Sequence, residues 1–85
     1  MEIDYDNAEV LRAPDTQTGV GMEYAIVRQR LGEDSDNWHL LRQELRHRGD
    51  RAYDVLIMTN DKEERTFCFD ITHFFGIHNP PLNHS

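Results

Sequence analysis

Residues 53–72 read YDVLIMTNDKEERTFCFDIT, and they contain the strongest β-strand pattern of the chain. Two runs rich in β-branched and aromatic residues, about 53–59 and 65–72, flank a polar turn, which is the pattern of a β-hairpin. The second run alternates apolar and more polar residues, so one of its faces is apolar. The first run is apolar on both faces around its middle, which favours a central place in the sheet.

A helix is predicted over about 36–48, immediately before the hairpin. Its apolar residues recur at i, i+3 and i+7, the spacing that places side chains on one helical face: Trp38, Leu41 and Leu45. Asp36 can accept hydrogen bonds from the first turn, and Gly49 can end the helix. We expect this helix to pack against the hairpin.

Residues 8–31 admit two interpretations. A helix is indicated by Tyr24, Val27 and Leu31, with Gly32 as its stop. A strand is indicated by the alternation of residues 22–26, which would pair with residues 9–13 as an N-terminal hairpin. The helix is favoured, with the glycines of residues 19–21 as a hinge or turn. Both alternatives give an α+β fold with a small antiparallel sheet.

The length of 85 residues predicts one small α+β domain, which we place at residues 1–77. Residues 78–85 contain two adjacent prolines and are expected to form a flexible tail. A core this small stabilises a chain only marginally, so binding to a partner or self-association is a natural supplement.

The composition excludes several classes of protein. Hydrophobic residues make up 38% of the chain, and no apolar run is long enough to span a bilayer, so no membrane partner is expected. The acidic N-terminus lacks the layout of a signal peptide. Cys68 is the single cysteine, which rules out an intrachain disulfide and a four-cysteine zinc site. A cytoplasmic location and no cofactor are predicted.

The formal net charge of −7 is unevenly distributed. Residues 1–38 carry −6, residues 39–51 carry +2, and residues 52–85 carry −3. The average surface therefore repels phosphates, which argues against direct nucleic-acid binding. One arginine-rich segment nevertheless lies between two acidic ones, so the surface can meet a charged partner.

The candidate partner-binding residues come from this charge pattern. Asp34 and Asp36 are the candidates for contact with a basic partner, and Arg42 and Arg46 are the candidates for contact with an acidic one. The arginines are four residues apart and would share one face of the predicted helix. An ordinary solvated helix face is the competing interpretation.

Catalytic and metal-binding patterns are weak. Asp70, His73 and His78 could meet around a divalent metal if the chain turns at Gly76, although this spacing matches no established metal motif. The alternative is that Asp70 caps a turn and that both histidines are structural. Cys68 lies inside an aromatic strand, where a cysteine is usually a packing residue rather than a nucleophile.

The function that these patterns favour is a small acidic protein-binding module, not an enzyme, acting as an inhibitor, immunity factor or accessory subunit through charge-steered contacts. The expected partner is another protein, for example a basic protein that handles nucleic acids. One alternative is a metal-binding enzyme or sensor that uses Asp70, His73 and His78. Another is a self-assembling structural subunit, for which a homodimer is possible.

Overall fold

A computed structural model describes residues 3–76, and the predicted tail at 78–85 lies outside the described residues. A single four-stranded sheet is covered on one face by one α-helix, so the predicted α+β class is confirmed. The strand order is β1-β4-β3-β2. The elements are β1 (Glu9–Val10), α1 (Thr16–Leu31), β2 (His39–Arg48), β3 (Arg51–Thr59) and β4 (Glu64–Asp70), with 3-10 turns at Tyr5–Asn7 and Gly32–Asn37.

The predicted C-terminal hairpin is confirmed as β3 and β4. The two strands are antiparallel, with a register running from Tyr53 opposite Asp70 to Thr59 opposite Glu64. The predicted central position of β3 is also correct, because β4 and β2 lie on either side of it. The sheet is mixed rather than wholly antiparallel, since β1 pairs with β4 in parallel.

The predicted helix at 36–48 is wrong. The 3-10 turn ends at Asn37, and the chain then continues as the strand β2, which is antiparallel to β3. Gly49 does not end a helix but occupies the first position of a two-residue hairpin turn, with a φ of 59°. A glycine with positive φ at that position suits a tight hairpin, so the same residue serves a different turn.

The helical interpretation of residues 22–31 is confirmed, and α1 begins six residues earlier, at Thr16. The alternative N-terminal hairpin is therefore wrong, and so is the hinge at residues 19–21, which are helical. Asp15 caps the helix by accepting a 2.8 Å hydrogen bond from the Thr18 amide. Gly19 permits close packing, because a Cβ atom there would lie 2.3 Å from the Phe74 ring.

The core lies between α1 and one face of the sheet. Phe74 is fully buried and comes from the turn after β4, which closes over the core. The buried cluster comprises Leu11, Val27, Leu31, Ala52, Leu56, Met58, Phe67, Phe69, Ile71 and Phe74. Within residues 3–76, no helix combines the length and the apolar character that crossing a membrane requires.

Candidate interaction edge and carboxyl groove

The outer edge of β2, which we call the β2 edge, is the most exposed regular element of the molecule. In the described part of the chain, β2 pairs with β3 on one side and with no strand on the other. Three leucines of β2 are solvent-exposed: Leu40 at 37%, and Leu41 and Leu45 at 48% each. Exposed leucines on an unpaired strand are typical of a surface that takes up another chain.

The hydrogen bonds of Ala52 show which main-chain groups of β2 face outward. The Ala52 amide donates to Thr72 Oγ1 and its carbonyl accepts from the Ile71 amide, so Ala52 turns its main chain towards β4. Successive residues of a strand form their main-chain hydrogen bonds towards opposite sides. Tyr53, Val55 and Ile57 therefore form theirs with β2. The β2 residues opposite them therefore direct their main-chain amides and carbonyls towards β3. The main-chain groups of three other β2 residues point outward: Gln43, Leu45 and His47.

A β-bulge limits the regular part of the β2 edge. Leu40 lies opposite Met58 and Arg42 lies opposite Ile57, so Leu41 is an extra residue with no partner on β3. Bulges bend a strand and interrupt pairing. The segment that can accept a regular strand is therefore residues 42–48.

The predicted binding arginines lie together on the face of β2 that points away from α1. Glu44 bridges them: the Arg42 Nε donates to Glu44 Oε2 at 2.7 Å, and the Arg46 Nε donates to Glu44 Oε1 at 2.9 Å. Hydrogen bonds from Arg46 and Arg42 lower the pKa of the Glu44 carboxyl. About half of each arginine side chain remains exposed, so the trio presents one excess positive charge to solvent.

The other two arginines of this region have internal contacts. The Arg48 guanidinium lies 4.5 Å from the centre of the Tyr5 ring, and Tyr5 in turn packs edge-on against Tyr53. Arg51 forms a 3.3 Å ion pair with Asp70, which is buried. The Arg48 and Tyr53 contacts hold Tyr5 of the N-terminal turn against the sheet, and the Arg51–Asp70 pair joins β3 to β4. Arg42 and Arg46 are therefore the arginines best placed for a partner.

The predicted acidic pair lies in the 3-10 turn before β2. Asp34 accepts hydrogen bonds from the Asn37 side chain at 2.5 Å and from the Trp38 indole at 3.1 Å. Asp34 thus stabilises the turn that leads into β2. Asp36 is exposed, but it precedes the strand on a separate element. Both acids therefore lie apart from the arginine face of β2. Asp34 has a local structural role within the turn.

A groove of about 370 Å³ lies beside β2 on the helix side of the sheet, and we call it the carboxyl groove. Its β2 wall consists of Gln43 and Leu45, and two carboxyl groups, Glu23 and Asp54, contribute to its lining. The remaining lining residues are mostly apolar: Thr16, Val20, Ile71, Phe74 and Phe75.

The two carboxyl groups of the groove are buried against each other. Glu23 is 1% exposed and Asp54 is 4% exposed. Gln43 Nε2 donates to both oxygens of Asp54 at 2.9 Å, whereas neither oxygen of Glu23 meets a donor within residues 3–76. Burial, followed by the contact with Asp54, raises the pKa of Glu23 to about 9. Glu23 is therefore neutral at neutral pH.

The residues of the predicted metal alternative have other contacts where they are described. Asp70 Oδ1 accepts from the amide and the hydroxyl of Thr72, and Asp70 Oδ2 pairs with Arg51. His73 is exposed, and His78 lies outside the described residues. In the described residues 3–76, no group of three or more histidine, cysteine, aspartate or glutamate side chains is arranged to hold a metal ion.

Cys68 is partly buried on β4, consistent with the packing role expected for it. Burial, reinforced by nearby acids of which Asp4 is the strongest, raises the pKa of the thiol to about 11. The thiol is therefore protonated at neutral pH, and a protonated thiol is a poor nucleophile.

Sequence reasoning missed the carboxyl pair. The signal that could have found it is the four-residue spacing of Gly19, Glu23, Val27 and Leu31, which places Glu23 in the buried stripe of α1. Comparison with known proteins finds no matching family model, no matching curated protein and no matching solved structure.

Proposed function

We propose that this chain is a protein-binding module that adds an extended segment of a partner protein to the β2 edge. The observation that carries the proposal is the exposure of β2, a ten-residue strand with three exposed leucines and an unpaired outer side among the described residues. Strand addition of this kind gains affinity from main-chain hydrogen bonds and specificity from alternate side chains.

The two faces of β2 define the chemistry of the partner. A strand beside β2 would direct every second side chain to the arginine face and the others to the helix side. The arginine face favours acidic side chains, because Arg42 and Arg46 are half exposed and outnumber Glu44. The helix side favours apolar side chains next to Leu45. The partner segment we propose therefore alternates acidic and apolar residues.

An acidic partner fits this surface better than a second copy of the chain. If the β2 strands of two copies paired, their positively charged faces would lie next to each other and repel. Charged residues and bulges are features that keep edge strands from pairing with themselves. A basic partner is supported less, because Asp34 is engaged with Asn37 and Trp38. The module would then act as an inhibitor, an immunity factor or an accessory subunit that captures an acidic segment, with charge steering the encounter.

The test is titration with a short synthetic peptide in which glutamate alternates with valine, followed by amide NMR shifts. We expect the largest shifts at Gln43, Leu45 and His47, and weaker binding at higher salt. The control peptide carries lysine in place of glutamate and should bind much more weakly. Equal binding of both peptides, or shifts centred away from β2, would overturn the proposal.

A matched pair of charge reversals tests the role of the arginine face. Arg46→Glu should weaken binding of the glutamate peptide about tenfold or more, because it replaces an attraction with a repulsion. Arg28→Glu makes the same change at an exposed position of α1 and should leave binding unchanged. Light scattering over a concentration series adds a second check: dimerisation abolished by Leu45→Asp would assign the β2 edge to a second copy and reject the acidic partner.

A further inference from the structure

The carboxyl groove contains the least expected buried group in the molecule. Glu23 is 99% buried and its oxygens meet no donor among residues 3–76, although an apolar side chain at this place would continue the buried stripe of α1. Burying a carboxyl group without full hydrogen bonding costs free energy. A feature that opposes folding in so small a domain is a candidate for binding.

The groove suits a cation at the end of an apolar chain. Its walls include Val20, Leu45 and Phe75, which can cover methylene groups. Glu23 and Asp54 both line the groove, so a cation seated there would meet two carboxyl groups. A compact ammonium ion with three N–H donors can bond both carboxyl groups, including the oxygens of Glu23 that meet no donor.

The position of the groove connects it to the β2 edge. Gln43 and Leu45 line the groove, and they are also two of the three residues whose main-chain groups face outward from β2. A strand bound along β2 would therefore direct alternate side chains to the side on which the groove opens.

We propose that the carboxyl groove binds the ammonium group of a lysine carried by the partner segment, on the helix side of the strand added to β2. This inference rests on the proposed function and narrows it: acidic residues of the partner face Arg42 and Arg46, and one lysine among the apolar residues on the opposite side enters the groove. The lysine stem packs against Leu45 and Phe75, and its ammonium group bonds Glu23 and Asp54.

The experiment compares two glutamate–valine peptides that differ at one groove-side position, where one carries lysine and the other carries norleucine. Norleucine keeps the apolar stem and removes the charge. We expect the lysine peptide to bind about ten- to a hundredfold more tightly, the range for hydrogen bonds to charged groups. Placing the lysine one residue along the peptide turns it to the arginine face and should abolish the preference.

Variants of the groove assign the preference to its carboxyl groups. Glu23→Gln and Asp54→Asn keep the shape of each side chain, and each should remove most of the preference for lysine while leaving binding of the norleucine peptide unchanged. The amide NMR spectrum of each variant reports whether the fold is retained. Thr18→Ala changes an exposed side chain of α1 outside the groove and serves as the matched control.

The outcomes separate this inference from the proposed function. Equal affinity for the lysine and norleucine peptides would overturn the groove inference and leave strand addition standing. Failure of every peptide to bind would overturn strand addition. In that case N-acetyl-lysine methylamide tests the groove alone: shifts at Val20 and Leu45 would support it as a lysine site, and unchanged spectra would reject it.

Discussion

β2 and β3 are neighbouring strands of similar length, joined by a two-residue turn, yet they have opposite environments. β3 is buried from Ala52 to Met58, with Val55, Leu56 and Ile57 fully inaccessible. β2 is exposed at nine of its ten positions. The difference arises from neighbouring strands, because within residues 3–76 β3 has a strand on each side whereas β2 has a strand on one side only. One hairpin thus combines a buried strand, β3, which supports the fold, with an exposed strand, β2, to which we propose that a partner binds.

The largest effect should be the difference in lost stability between two leucine truncations, one on β3 and one on β2. Leu56→Ala on β3 should lower the free energy of unfolding by about 2–5 kcal/mol, because it leaves a cavity in the core. Leu45→Ala on β2 should cost about 0.5 kcal/mol, since Leu45 is already half exposed. Urea unfolding measures both. Equal losses at the two positions would contradict the proposed division between the strands.

The second effect is a pH dependence from the carboxyl pair beneath the two strands. Glu23 has an ordinary pKa of 4.5, and the fold raises that pKa to about 9. Between these values the unfolded chain has lost the Glu23 proton and the folded chain holds it. The contribution of Glu23 to stability is therefore greatest below pH 4.5 and falls as the pH rises to about 9. The slope from this group is at most about 1.4 kcal/mol per pH unit.

Glu23→Gln isolates that contribution. The variant removes the titrating group, so its stability should fall less steeply between neutral and alkaline pH than that of the parent chain. Urea unfolding at several pH values gives both slopes. Parallel slopes would show that Glu23 is ionised in the folded chain, contrary to its burial beside Asp54.

A third, smaller effect should come from the turn that joins the two strands. Gly49 has a φ of 59°, which side-chain-bearing residues adopt at a cost of about 1–2 kcal/mol. Gly49→Ala should lower the free energy of unfolding by that amount. The control, Gly21→Ala, lies on α1 where a Cβ meets nothing within 4 Å, and it should stabilise the chain by about 0.5–1 kcal/mol. Thermal unfolding distinguishes the opposite signs.

The smallest effect is an alternation of amide exchange along β2. Amides that point towards β3 should exchange slowly, and those of Gln43, Leu45 and His47 should exchange quickly because they point outward. Hydrogen exchange followed by NMR measures each amide, and the glutamate–valine peptide should slow the outward set. Uniform exchange along β2 in the free chain would contradict the assigned hydrogen-bond direction.

The C-terminal hairpin and the second half of α1 could be predicted because their signals are local. Phe67 and Phe69 alternate with more polar residues, and Gly32 ends the helix. β2 could not be predicted in this way. Positions 42 and 46 share a face in a helix and in a strand alike, and leucine, arginine, glutamine and glutamate favour helices when isolated. Pairing with β3 overrode that local preference.

The candidate site was therefore predictable only in part. Arg42 and Arg46 do share a face, although the predicted helix was the wrong reason for it. The carboxyl groove could not be predicted, because it forms where α1, β2, β3 and the turn after β4 meet. A local pattern carries no information about which distant element lies opposite a given side chain.

The short parallel pairing of β1 with β4 has a consequence for the order in which the chain is built. Glu9 and Val10 lie opposite Phe69 and Asp70, so β1 is synthesised some sixty residues before its partner exists. Hairpins close between residues that are near in sequence and need no such wait. During translation, β2 and β3 can therefore meet while β1 is still unpaired, and β1 can join the sheet only after the final strand has emerged.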